Sequence, residues 1–173
     1  MPPKVLFVIA PERFRDEEFL EPKRILERRG AVVTVASTRT GTAVGMLGAK
    51  VVVEHTVQPA DAASFDALAI AGGAGAPDHL WDSAPLRLTV QALYAAGKPV
   101  GAICLSPPVL ARAGILTGKR ATTFPAGRAI VELKRAGATY VEDAVVLDGT
   151  IVTASGPAAA SAFGETLAGL LPS

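Results

Sequence analysis

Short apolar runs alternate along the chain with segments whose apolar positions recur at helical spacing, and this alternation predicts the fold. The predicted strands cover residues 4–10, 31–37, 66–71, 99–103, 120–124, 144–147 and 151–154, and a hairpin or a pair of short edge strands is expected between 42 and 58. The predicted helices cover residues 16–29, 76–96, 126–136 and 155–171, and a further helix begins at 105. This order is typical of an α/β sandwich with a mainly parallel sheet, which binds ligands at the carboxyl ends of its strands.

The composition indicates one globular domain over residues 1–173, because half of the residues are hydrophobic and only 19% are charged. A net charge of +1 without a basic run gives no footprint for nucleic acid or an anionic membrane, so small molecules and further copies of the chain are the expected partners. One cysteine excludes an internal disulfide, and no Cys and His cluster suggests a metal or cofactor. The apolar start is too short for a signal peptide, and a cytoplasmic location is expected.

The single cysteine, Cys104, lies where a buried strand turns sharply into a helix. A nucleophile on such an elbow needs small residues two positions before and after it, and Ala102 and Ser106 meet that need. Helix N–H groups pointing at the sulfur would favour the thiolate and lower the pKa of the thiol below its usual value of about 8.5. The alternative is a small buried apolar residue at a strand end, and position alone does not choose between the two.

Four segments should meet Cys104 at the carboxyl edge of the sheet: the loop 11–18, the pair Gly72 and Gly73, the elbow itself, and residues 155–157. Glycine lets backbone N–H groups approach a ligand closely. The N–H groups of Gly72, Gly73 and Leu105 could therefore stabilise a developing oxyanion. The alternative is that the two glycines simply end a strand.

Three acids, Asp16, Glu17 and Glu18, open the first helix beside this edge, and Asp16 is predicted to cap it. A carboxyl group facing a thiolate would either hold a proton and serve as general acid and base, or raise the pKa of the cysteine. The alternative is ordinary electrostatics at a helix start, and spacing does not select one of the three.

Neither histidine adjoins Cys104 in the sequence, so a cysteine and histidine pair is not evident. His55 is expected to be solvated on the edge hairpin, and His79 could reach the carboxyl edge but is more typical of a surface position. Trp81 and Phe124 are interpreted as packing residues.

Six motifs in order, KVLFVIA, DEEFLEP, DALAIAGG, GKPVGAIC, ARAGILTGKRAT and DGTIVTASGP, resemble the ThiJ/PfpI superfamily over nearly the whole chain. That superfamily contains a parkinsonism-associated deglycase and archaeal intracellular proteases. The resemblance implies a three-layer α/β/α sandwich of the flavodoxin-like, class I glutamine amidotransferase-like type.

The resemblance also implies roles for individual residues. In the family, a glutamate four residues before a helix-one proline hydrogen-bonds the elbow cysteine; Pro22 places it at Glu18, beside Cys104 as nucleophile. Gly72, Gly73 and Leu105 would then be the oxyanion donors, and Arg28 a contact in a homodimer or higher homo-oligomer. The implied pocket residues near the cysteine are Ser106, Phe124, Ser155, Gly156 and Pro157.

Two family histidines are replaced, one by Leu105 directly after the cysteine and one by Phe124 beyond the short strand. The leading interpretation is a cofactor-free stress-protection enzyme of the glyoxalase or deglycase type, in which Cys104 and Glu18 convert reactive carbonyls such as methylglyoxal. The alternative is a redox-sensing stress protein or chaperone without turnover, in which Cys104 is oxidised. An intracellular cysteine peptidase ranks third, because it needs a histidine that the elbow lacks.

Overall fold

The computed structural model describes residues 1–173. Its twelve strands are β1 (Lys4–Val8), β2 (Glu12–Phe14), β3 (Val32–Ser37), β4 (Gly41–Gly45), β5 (Lys50–Val53), β6 (His55–Thr56), β7 (Ala67–Ile70), β8 (Val100–Ile103), β9 (Arg120–Ala121), β10 (Thr139–Tyr140), β11 (Val145–Asp148) and β12 (Ile151–Ala154). Its six α-helices are α1 (Asp16–Arg28), α2 (Ala76–His79), α3 (Ala84–Ala95), α4 (Pro107–Arg112), α5 (Gly127–Arg135) and α6 (Ala160–Gly169).

A seven-stranded sheet in the order β11-β12-β8-β7-β1-β3-β6 forms the middle layer, and only β11 runs antiparallel to its neighbour. The strands β7, β8 and β12 are buried at every position, as expected of continuous apolar runs covered on both faces. The helices α1 and α6 pack together on one face, while α3, α4 and α5 lie on the other, as right-handed crossovers require. The predicted three-layer sandwich is therefore confirmed. None of the helices is long and apolar enough to cross a membrane.

Glycines set the distance between the sheet and the α1/α6 layer. A Cβ at Gly101 would lie 2.9 Å from the Phe163 ring, so this strand position leaves room for the largest side chain of α6. A Cβ at Gly164 would lie 2.9 Å from Cα of Pro22, so α6 can contact α1 directly. This contact fixes the helix that carries Asp16 and Glu18.

The structure differs from the sequence predictions in its short elements. The hairpin of β4 and β5 belongs to a separate three-stranded sheet with β2, which forms within the predicted loop 11–18. The predicted helix 76–96 is two helices, because Ser83 caps α3 by accepting a hydrogen bond from the N–H of Leu86 at 3.3 Å. The predicted strand 120–124 shortens to β9, which pairs with β10, an element that the sequence did not predict.

Asp16 does not cap α1 as predicted, since Arg15 occupies the cap position. The Asp16 carboxylate accepts hydrogen bonds from the N–H groups of Leu47 at 2.9 Å and Ala49 at 2.8 Å, in the turn between β4 and β5. A Cβ at Gly45 would lie 2.4 Å from its Oδ1 atom, so the glycine admits the carboxylate. One buried acid thus holds the hairpin to the start of α1.

We expect Asp16→Ala to lower the free energy of unfolding by about 2 to 4 kcal/mol, because it leaves two backbone N–H groups without their acceptor. Glu27→Ala is the matched control, since Glu27 is exposed on the same helix and makes only an ion pair with Lys23; its effect should stay within about 0.5 kcal/mol. Urea denaturation measures both. Equal effects of the two substitutions would contradict the role of Asp16.

Candidate active site

Cys104 occupies a strained turn between β8 and α4. Its φ of +64° lies in the left-handed region, which residues other than glycine rarely adopt. Backbone hydrogen bonds hold this conformation from both sides: the Cys104 N–H donates to the carbonyl of Ala154 at 2.8 Å, and the Cys104 carbonyl accepts from the Phe124 N–H at 2.8 Å. The Thr123 hydroxyl donates to the same carbonyl at 2.7 Å. The surrounding chain therefore fixes the elbow that the sequence predicted.

The elbow is closely packed underneath. The hydroxyl of Ser106 is buried and donates to the carbonyl of Ala71 at 2.6 Å, so Ser106 braces the turn and does not line the cavity at Cys104. A Cβ at Gly72 would lie 2.6 Å from Cβ of Cys104 and 2.7 Å from Oε1 of Glu18. Only glycine at position 72 allows the acid and the cysteine to come this close.

Of the three acids, the structure brings Glu18 to the cysteine. Glu18 is fully buried, and its Oε1 atom accepts a hydrogen bond from the Gly72 N–H at 3.0 Å. Its Oε2 atom is buried without a hydrogen-bond partner. Asp16 is bound to the hairpin turn and Glu17 pairs with Arg15, so neither competes for this position.

Burial governs the ionisation of the pair. It raises the pKa of the Glu18 carboxyl to about 7, against smaller opposing effects of Cys104, the Gly72 N–H and Arg15. Burial, and next the charge of Glu18, raise the pKa of the Cys104 thiol above its usual range. The expected lowering of the thiol pKa is therefore wrong in direction, because desolvation outweighs the helix N–H groups. The Glu18 carboxyl therefore loses its proton near neutral pH, while the thiol of Cys104 keeps its own.

Two backbone N–H groups face the sulfur. Those of Gly73 and Leu105 lower the pKa of the thiol, and so favour a negative charge at this position. The third predicted donor, Gly72, is engaged by Glu18. Gly73 has a φ of +110°, and a Cβ there would lie 2.4 Å from the backbone nitrogen of Arg15, so this donor position also requires glycine.

A small cavity of about 140 Å³ opens onto Cys104. Besides the cysteine and glycine, it is walled mostly by apolar side chains, and its lining residues are Arg15, Met46, Gly73, Ala74, Cys104, Leu105, Phe124 and Pro157. Phe124 and Pro157 thus lie where the family resemblance implied. Gly156 is buried behind the Phe124 ring, where a Cβ would lie 3.3 Å from Cδ2 of Phe124, and Ser155 lines a separate, more polar cavity with Thr122 and Thr123.

Sequence reasoning missed three cavity residues, Arg15, Met46 and Ala74. Met46 reaches the cavity from the turn between β4 and β5, which only the folded chain brings to α1. Arg15 lies within the loop 11–18 that was predicted to meet Cys104, but no sequence pattern singled it out from that loop.

The histidines do not join the site. His79 hydrogen-bonds the Glu12 carboxylate at 3.0 Å, and His55 is exposed on β6. The Trp81 N–H donates to the carbonyl of Leu105 at 2.6 Å, so this residue packs beneath the elbow. Arg28 is exposed on α1, which fits a contact position without testing it. No group of three or more potential metal-ligating His, Cys, Asp and Glu side chains converges anywhere in the chain.

Comparisons with known proteins agree on one family. The model of the DJ-1/PfpI family matches residues 3–169. A deglycase of Pyrococcus horikoshii is 35% identical over 90% of this chain and 91% of its own, and an uncharacterized protein of Methanocaldococcus jannaschii is 50% identical over 93% of this chain and 78% of its own. The crystal structure of a ThiJ/PfpI domain protein from Brachyspira murdochii superposes with a TM-score of 0.91 at 30% identity, covering 98% of this chain and 97% of that one.

The raised pKa of Glu18 predicts a pH-dependent stability. Between its unfolded value of about 4.5 and its folded value of about 7, only the folded chain keeps the proton, so this group stabilises the fold below pH 4.5 and loses that contribution as the pH rises to 7. We expect the unfolding free energy of wild type, relative to that of Glu18→Gln, to fall by on the order of 3 kcal/mol between pH 5 and pH 8. Glu21→Gln is the control, and a difference independent of pH would contradict the assignment.

Proposed function

The chain belongs to the DJ-1/PfpI family, and from that membership we propose that it is a cysteine-dependent enzyme that detoxifies small reactive carbonyls, in the manner of a glyoxalase or deglycase. The observation that carries the proposal is the burial of Glu18 and Cys104 beside a small cavity, which raises the pKa of the Glu18 carboxyl to about 7. The relative from Pyrococcus horikoshii that is named a deglycase supports the same chemistry.

The first step is addition of the sulfur to an aldehyde. The Glu18 carboxylate takes the proton of the Cys104 thiol; a bond then forms between the sulfur and the carbonyl carbon, and the π electrons of the carbonyl move to its oxygen. The N–H groups of Gly73 and Leu105 stabilise that oxygen, and Glu18 delivers the proton to it. The product is a hemithioacetal.

The second step is a proton transfer between carbons. For methylglyoxal, the Glu18 carboxylate removes the proton from the carbon bonded to sulfur and returns it to the neighbouring carbon, while the hydroxyl proton moves to the oxygen of that neighbouring carbon, which gives a thioester of lactate. Water then hydrolyses the thioester, lactate leaves, and the thiol is restored. A base with a pKa of about 7 is well matched to this shuttle, because it exchanges protons readily near neutral pH.

The cavity favours this reaction over peptide hydrolysis. Its small volume, about 140 Å³, suits a three-carbon compound better than an extended peptide. Neither histidine lines it, so the general base of a cysteine peptidase is missing.

Lactate formation from methylglyoxal tests the proposal. We expect Cys104→Ser and Glu18→Gln each to lower kcat/KM by about 100-fold or more, since one removes the nucleophile and the other the proton carrier. Glu21→Gln, on the same helix and bonded to Ser161, should retain the wild-type rate. Equal rates in all four proteins would refute the mechanism.

One observation favours a second function, the sensing of oxidants. Glu18 lies against Cys104 and its Oε2 atom is buried without a hydrogen-bond partner, so with the N–H groups of Gly73 and Leu105 it could hold the oxygens of a cysteine sulfinic acid. Two equivalents of peroxide would supply both oxygen atoms and leave as water.

Mild peroxide treatment followed by peptide mass spectrometry tests this second function. We expect the Cys104 peptide to gain two oxygen atoms, and Glu18→Gln to shift the product toward further oxidation, because the carboxyl no longer stabilises the sulfinic acid. Met46 also lines the cavity, so the modification must be assigned to its residue by fragmentation. An unmodified Cys104 would argue against sensing.

A further inference from the structure

Arg15 is the one charged side chain among the eight residues that line the cavity at Cys104. The other side chains of the lining are apolar apart from the thiol itself, so they offer a ligand no polar recognition beyond backbone N–H groups. The Arg15 side chain is 30% exposed, which leaves its guanidinium accessible from the cavity mouth. Any ligand group of opposite charge would meet this residue.

The orientation of Arg15 is fixed at both ends. Its backbone N–H donates to the carbonyl of Gly72 at 2.9 Å, which ties the residue to the turn that ends β7. Its Nε and Nη2 atoms donate to the two carboxylate oxygens of Glu17, each at 2.9 Å. A paired guanidinium held in this way is preorganised, because little side-chain freedom remains to be lost when a ligand binds.

The pairing with Glu17 leaves part of the guanidinium unused. Arginine has five N–H donors, of which Glu17 takes two, and the Nη1 group has no hydrogen-bond partner in the chain. The Nη1–Nη2 edge therefore retains the two parallel N–H bonds that match a carboxylate.

We propose that the free edge of Arg15 binds a carboxylate on the carbonyl compound that adds to Cys104, so that the ligands preferred by this site are small oxo acids and aldehydes bearing a carboxylate. The proposal deepens the proposed function, on which it rests for the role of Cys104 as nucleophile. In the adduct, sulfur is bonded to the former carbonyl carbon, the carbonyl oxygen has taken the proton held by Glu18, and the carboxylate lies on Arg15. A cavity of about 140 Å³ limits such ligands to a few carbon atoms.

Alkylation of Cys104 tests the preference without requiring turnover. Iodoacetate and iodoacetamide differ in one carboxylate, and in both reactions a sulfur–carbon bond forms while iodide leaves. We expect the ratio of the iodoacetate rate to the iodoacetamide rate to fall about tenfold in Arg15→Gln, since a charge-assisted bidentate contact is lost. A general change in the reactivity of the thiol affects both rates and cancels in the ratio.

Two further variants make the result specific. Arg13→Gln also removes one positive charge. Arg13 lies two residues before Arg15, pairs with Asp78 and does not line the cavity, so this substitution should leave the ratio nearly unchanged. Glu17→Gln removes a negative charge that repels the carboxylate of the ligand and keeps a hydrogen-bond acceptor for Arg15, so it should raise the ratio. An unchanged ratio in Arg15→Gln, or an equal fall in Arg13→Gln, would overturn the proposal. If the wild-type protein shows the charge preference but forms no lactate, the catalytic function is refuted and the ligand preference stands.

Discussion

The carboxyl group of Glu18 lies in the interior of the protein, and the rest of the site depends on how its burial is tolerated. An isolated carboxylate in such surroundings is costly, and the usual response is to hold a proton or to find hydrogen-bond donors. Glu18 does both, because the Gly72 N–H binds one oxygen and the pKa of the carboxyl is raised to about 7. The missing side chain at position 72 is the steric condition for this arrangement. Near neutral pH the Glu18 carboxyl can therefore both accept and donate a proton, as a proton carrier must.

The α1 helix positions several parts of the site. Its first residue, Asp16, fixes the hairpin turn that brings Met46 to the cavity, and Glu18 follows half a turn later beneath the elbow. Glu17, between them, orients Arg15 at the cavity mouth. Consecutive residues on a helix point about 100° apart, so three adjacent acids serve three different surroundings. The start of one packed helix therefore positions Met46, Glu18 and Arg15 at the site.

The sequence was sufficient where local pattern and tertiary environment agree. Continuous apolar runs such as β7 and β8 predicted the central sheet, and the elbow followed from Cys104 between a buried strand and a helix. The strands β2 and β10 are only three and two residues long and exist through pairing with distant segments, so no local period indicates them. The position of Glu18 among three acids came from the family resemblance, because its neighbour Gly72 is 54 residues away. The direction of the thiol pKa was wrong for the same reason, since burial is a property of the whole fold.

The left-handed backbone at Cys104 bears on why this residue stands there at all. A glycine would adopt a φ of +64° without steric penalty, whereas a residue with a Cβ is held there by the bonds to Ala154, Phe124 and Thr123. Position 104 thus carries a residue that backbone stability alone would not favour. The energy stored in that conformation is a cost of keeping sulfur at the tip of the turn, and selection that acted only on thermal resilience would tend to erase it.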